Sequence, residues 1–250
     1  MLVACLVGVL AGAGACSQSS SPGGDAGEPT LTVYAAASLT APLTQIGARF
    51  EERHAGTRVR FNFDGSSGLA AQIRQGAPAD VFASADETTM EGVDQSGLLA
   101  GTPVAFATNT LQIAVQPENP LGITSLADLT GSGINLVICA PVVPCGAAAT
   151  AAADVAGVEL RPVSEEQSVT DVLAKVRSGE ADAGLVYVTD VLGADGDVLG
   201  IDFPEASAAV NTYSMAVLAG ASEPELARAF EDFVLAEGRA VLVESGFGPP

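Results

Sequence analysis

Apolar and polar positions along the chain change period in a regular order. Leu31 to Ala35 (LTVYA) is a short apolar run that predicts a strand. Ser38 has the chemistry of an N-cap and opens a helical pattern, with Leu39, Leu43, Ile46 and Phe50 on one face. Thr57 to Phe63 alternates Arg58, Arg60 and Asn62 with Val59, Phe61 and Phe63, the signature of a half-buried strand. Ser66-Ser67-Gly68 starts a further helix, Asp80 to Ala83 predicts a strand, and Ala85-Asp86 begins another turn and helix. This β-α order predicts an α/β fold with a mostly parallel sheet.

The second half repeats the theme. Strands are expected at Leu111 to Gln116, Asn135 to Cys139 and Ala183 to Val188. Helices are expected at Ser125 to Leu129, at Ala147 to Ala156, and after Ser168 with Val169, Val172, Leu173 and Val176 as the apolar face. Ala209 to Leu218 reads as extended, and Pro224 to Glu244 as a pair of C-terminal helices. The pattern divides into two lobes. Lobe 1 takes residues 30–108 plus 212–250, lobe 2 takes 109–211, and two crossover strands near 107–112 and 208–216 join them.

Residues 1–29 have a different character. Met1 to Ala15 is small and apolar, too short for a mature membrane span but suited to a signal-peptide core. Cys16 follows Ala13-Gly14-Ala15 and precedes a Ser/Gly/Pro tether, the arrangement of a lipoprotein cleavage site, so Cys16 is the expected lipid anchor. Cys5 is a rival position, and a plain secretory signal is the alternative to both. Everything after Pro29 is then expected to be exported and soluble, held at the outer face of the cytoplasmic membrane or free in the periplasm. In an exported chain Cys139 and Cys145 are expected to form a disulfide, the alternative being two buried free thiols. Five residues between them is not a zinc spacing.

Composition narrows the function. The 250 residues are 48% hydrophobic and 16% charged, which supports a packed core and not an acidic disordered tail. Ten Lys and Arg against thirty Asp and Glu give a net charge of −20, which opposes nucleic-acid binding. Lys175 is the single Lys and His54 the single His, so a His relay or multi-His metal site is not expected. His54 lies in a charged stretch (EERHAG) and is expected to face solvent. Gly65 to Gly68 (GSSG) is not a nucleophile elbow, and no catalytic carboxylate pair stands out, which disfavours a hydrolase.

One local event recurs. A strand ends and a Ser or a Gly-containing turn begins a helix, at Ser38, Ser66, Cys145-Gly146 and Ser168-Val169. Helix N-termini offer free N–H groups and partial positive charge. Several of them aimed at one cleft would hold an anion without a cation. Ordinary capping, in which each Ser serves its own helix, is the alternative.

The segments VYAAASLT (Val33 to Thr40), FNFDGSSGLAAQI (Phe61 to Ile73), GAPADVFASAD (Gly76 to Asp86), PCG (Pro144 to Gly146), SVTDVLAKVRSGEADAGLVYVTD (Ser168 to Asp190) and the closing SGFGPP resemble, in order, the periplasmic molybdate-binding proteins of bacterial molybdate ABC importers. The resemblance implies a two-lobe periplasmic-binding-protein fold with a ligand cleft between the lobes. It implies a monomer that binds molybdate or tungstate without a cofactor or a direct metal ligand, and an ABC importer permease as partner; a binding protein for sulfate or another small anion is the alternative. It also implies a ligand set: the Ser38 and Ser66 hydroxyls, the backbone N–H of Cys145 and of Val169, and the Tyr187 hydroxyl. Cys145 stands where the family usually has Ala, so only its N–H is carried over. Asp64 stands two residues from Ser66, where a carboxylate would oppose an anion unless it points away.

Overall fold

The structure is a computed structural model and describes residues 28–250. Cys5, Cys16 and the expected leader cleavage site lie outside the described residues.

Two five-stranded sheets organise the chain. The first is entered through β1 (Thr30–Ala36), β2 (Arg58–Asp64), β3 (Val81–Ser84) and β4 (Val104–Asn109). The second holds β5 (Leu111–Val115), β6 (Leu136–Cys139), β7 (Ser164–Glu166), β8 (Ala183–Tyr187) and β9 (Leu199–Ile201). The chain then returns to the first sheet as β10 (Asn211–Val217). Strand order is β2-β1-β3-β10-β4 in one lobe and β7-β6-β8-β5-β9 in the other.

Neither sheet is mostly parallel. β1 runs parallel to β2 and β3, but β10 is antiparallel to both β3 and β4. In the second lobe β6 is parallel to β7 and β8, while β5 is antiparallel to β8 and β9. The cause is the double crossing. A strand that returns from the other lobe enters its sheet from the opposite end, so it runs against the strands built by right-handed β-α-β steps.

Helices cover both sheets. The first lobe carries α1 (Thr40–Arg53), α2 (Ser66–Arg74) and α3 (Glu87–Asp94), and the second carries α4 (Pro144–Ala156), α5 (Val169–Ser178) and α6 (Val188–Gly193). The C-terminal pair α7 (Pro224–Ala236) and α8 (Gly238–Glu244) packs back on α1 in the first lobe. The apolar stripe of α1 is buried as its spacing predicts: Leu39, Leu43, Ile46 and Phe50 have no exposed surface. The core of the first lobe gathers these residues with Phe230, Val234 and Val241 of the C-terminal pair. A separate core in the second lobe joins β5, β6 and β8 to the buried faces of α4 and α5.

One buried carboxylate ties the C-terminal segment to this frame. Asp80 accepts from the N–H groups of Thr32, Ser222 and Glu223 at 2.7, 2.6 and 3.3 Å and from the Ser222 hydroxyl at 2.9 Å. A charge this buried is tolerable only because donors surround it.

His54 departs from expectation. It is half-buried, its ring stacks on Phe50 at 4.0 Å, and Nδ1 lies 3.1 Å from the Phe50 carbonyl oxygen. The apolar end of α1 offers it a better surface than solvent does.

Candidate functional site

All four helix starts meet at one place. A small cavity of about 20 Å³ between the lobes is lined by Ala36 to Ser38, Gly65-Ser66 and Ala85 from the first lobe. Val143 to Cys145, Ser168-Val169 and Tyr187 line it from the second lobe. No charged side chain is among the lining residues. Asp64 is turned aside, its Oδ1 accepting from the Gly65 N–H at 2.7 Å.

Each polar group reaches the cavity by a different local route. Ser38 is not the N-cap of α1. It lies inside a single 3₁₀ turn, Ala37–Leu39, that precedes the helix, and its hydroxyl makes no capping bond. Instead its Oγ lies 2.8 Å from the hydroxyl of Tyr213 on β10. Ser66 is the first residue of α2, with Gly65 as the N-cap. It is 1% exposed, and its Oγ accepts from the Ala85 N–H at 3.0 Å. Neither hydroxyl serves its own helix. Ser168 does: its Oγ accepts from the Asp171 N–H at 3.3 Å. The capping alternative therefore describes Ser168 and not the other two.

Cys145 and Val169 occupy the first turns of α4 and α5. N–H groups there have no intrahelical acceptor, and the helix dipole adds partial positive charge. The Cys139 and Cys145 sulfurs stand at bonding distance, 2.09 Å, with Cα atoms 5.7 Å apart. Gly146 lets the start of α4 press onto the end of β6. A Cβ there would stand 1.9 Å from the Ala140 carbonyl oxygen.

Tyr187 ends β8, is 1% exposed, and its hydroxyl has no hydrogen-bond partner. A buried hydroxyl without a partner is costly unless something else fills that role. Burial holds its pKa well above the ordinary tyrosine value, and its neighbours Tyr213, Asp190 and Asp86 push the same way. It stays a donor at any physiological pH. The arrangement offers hydroxyl and N–H donors and no counter-charge, which suits a small anion whose oxygens all accept.

Residues 31–248 match the family of bacterial extracellular solute-binding proteins. The chain belongs to that family. Its members bind solutes and are not enzymes. One relative, the molybdate-binding protein ModA of Mycobacterium tuberculosis (strain H37Rv), is 51% identical over 252 residues, covering 100% of this chain and 97% of its own. ModA of Escherichia coli (strain K12) is 34% identical over 220 residues, covering 84% of each chain. Among solved structures, the periplasmic molybdate-binding protein of Azotobacter vinelandii superposes with a TM-score of 0.77 at 24% identity, covering 88% of this chain and 99% of that one.

For this solute-binding protein, sequence reasoning missed the groups behind the cavity. Tyr213, on an extended stretch read only as a crossover, touches Ser38. Ala85, read as the start of a turn, supplies the N–H that orients Ser66. Tyr213 had no local signal, because its partner lies 175 residues away. Among the described residues no group of three or more His, Cys, Asp or Glu is placed to hold a metal ion, and no helix is long and apolar enough to cross a membrane.

Proposed function

We propose that this protein captures molybdate, and tungstate equally, outside the cytoplasmic membrane and delivers it to the permease of an ABC importer. The observation that carries the reading is the uncharged cavity in which Ser38, Ser66, Cys145, Val169 and Tyr187 come together, with the Tyr187 hydroxyl unpartnered. The relatives named for molybdate supply the identity of the anion. These five residues are the proposed ligand set: three hydroxyls and two backbone N–H groups.

A buried dianion needs every oxygen hydrogen-bonded. Donors spaced for the larger molybdate tetrahedron leave the oxygens of sulfate short of partners, at about 1–3 kcal/mol for each unpaired buried group. Molybdate and tungstate are nearly the same size and are not separated by this means. Titration calorimetry is expected to show molybdate and tungstate binding one to one and sulfate far more weakly. Equal affinity for sulfate and molybdate would overturn the reading.

Three further assignments belong to this proposal. The lobes are residues 30–108 plus 212–250 and residues 109–211, closing as a monomer. Cys139 and Cys145 form a disulfide that fixes the loop aiming the Cys145 N–H. Mass analysis after alkylation should find no reactive thiol at either position until reductant is added; two alkylated thiols in the native protein would refute the bridge. Cys16 carries lipid at the outer face of the membrane, and Cys16→Ser is expected to release the protein in soluble form.

A further inference from the structure

We infer that Tyr213 is a positioning residue that sets the direction of the Ser38 hydrogen bond, so that Ser38 faces the anion as a donor only. The inference rests on the oxyanion reading of the cavity and concerns a residue that does not line it.

A serine hydroxyl has one hydrogen and two lone pairs. Left alone, it turns to accept as readily as to donate, and an acceptor aimed at a dianion is repulsive. Ser66 is protected from this. The Ala85 N–H occupies its oxygen at 3.0 Å, and a backbone N–H can only donate, so the Ser66 hydrogen is left for the cavity.

Ser38 has the same architecture with a phenol in place of the amide. Its Oγ lies 2.8 Å from the Tyr213 hydroxyl. Tyr213 is fully buried, and burial raises its pKa, so the phenol keeps its hydrogen. That hydrogen needs an acceptor, and Ser38 Oγ, at 2.8 Å, is the closest; the Asn109 and Tyr187 side chains also lie near the Tyr213 hydroxyl and, like Ser38, act to lower its pKa. A phenol is also the more acidic partner and hence the better donor. Tyr213 therefore donates to Ser38, and the Ser38 hydrogen points away from it, toward the cavity.

The ring has little freedom to do otherwise. Phe247 meets it edge-on at 5.2 Å, with Tyr187 at 6.1 Å and Phe106 at 6.3 Å. β10 also slips its register against β4 between Tyr213 and Ser214, an irregularity of the kind that re-aims a side chain.

The test is a double-mutant cycle read by molybdate calorimetry, with melting of the unliganded proteins alongside. Y213F is expected to weaken molybdate binding about tenfold in the wild-type background, the scale of one hydrogen bond to a charged group. In the S38A background the same change is expected to weaken it less than twofold, because the hydroxyl it orients is gone. Equal losses in the two backgrounds, or no loss in either, would overturn the inference, as would a loss matched by a lower melting temperature of unliganded Y213F. A wild-type protein that binds no molybdate would instead strike the function on which the inference rests.

Discussion

Asp190 shows how a single group beside the cavity links binding to pH. It is buried, its Oδ2 accepts from the Tyr187 N–H at 2.9 Å, and burial lifts its pKa from 3.8 to about 7, the hydrogen bond offsetting part of the rise. Its charge is felt at the Tyr187 hydroxyl. The folded state holds this proton more tightly than the unfolded chain does. The resulting stability is complete below about pH 4 and is lost as pH rises to about 7. A dianion in the cavity raises the Asp190 pKa further, so binding above pH 7 should take up a proton. Molybdate calorimetry at pH 7.5 in buffers of different ionisation enthalpy is expected to show fractional uptake, and Asp190→Asn to abolish it. Uptake unchanged in that variant would assign the proton elsewhere. Val169→Ala, by contrast, should leave affinity within about twofold, because its backbone N–H survives. The four helix starts that meet at the cavity were legible in the sequence, since each follows a strand end; Tyr187 was named only through the family resemblance. Asp190 and Tyr213 were not legible, because burial and long-range partners give them their roles and neither leaves a local pattern.

At the level of elements, two glycines explain how helix starts approach so closely. Gly146 seats α4 on β6 within one lobe. Gly65 acts between lobes: a Cβ there would lie 2.0 Å from the Gln167 carbonyl oxygen, one residue before the N-cap of α5. Ser67 spans the same boundary, its hydroxyl donating to the Val142 carbonyl at 2.7 Å. Gly65 has a φ of −58°, which alanine adopts without strain, and its crowding comes from the other lobe. Gly65→Ala should therefore leave the unliganded melting temperature nearly unchanged and oppose closure by about 1–3 kcal/mol, weakening molybdate roughly 5- to 150-fold. Calorimetry and scattering with and without ligand would check it, and unchanged affinity would show that the lobes close without this contact. The principal helices and strands followed from periodicity. β4 was anticipated only in its last residues, as a crossover near 107–112, and β7, β9 and α6 were not recognised. β7 and β9 have three residues each and lie at sheet edges, too short to show alternation. α4 begins three residues before its Ala-rich run, because Pro144 starts the helix with its fixed φ.

The whole molecule repels its own proposed ligand. Its net charge is −20, and among the described residues five ion pairs, that of Lys175 part-buried, already engage Arg53, Arg58, Arg161, Lys175 and Arg177. None of these cations lines the cavity. A dianion approaching from solution meets a negative field first and the N–H and O–H dipoles only within the cleft. Long-range repulsion is screened by salt, and the contacts inside a closed cleft scarcely are. Raising ionic strength should then speed association and leave dissociation almost unchanged. The Debye length falls from about 30 Å at 0.01 M to about 8 Å at 0.15 M, so the change should be concentrated in that interval. Stopped-flow binding with a weakly coordinating salt measures both rates. An association rate that falls steeply with salt would require a cationic mouth, for which Arg74 at the end of α2 is the nearest source on that helix, and capture would then be steered by charge before the neutral donors take hold.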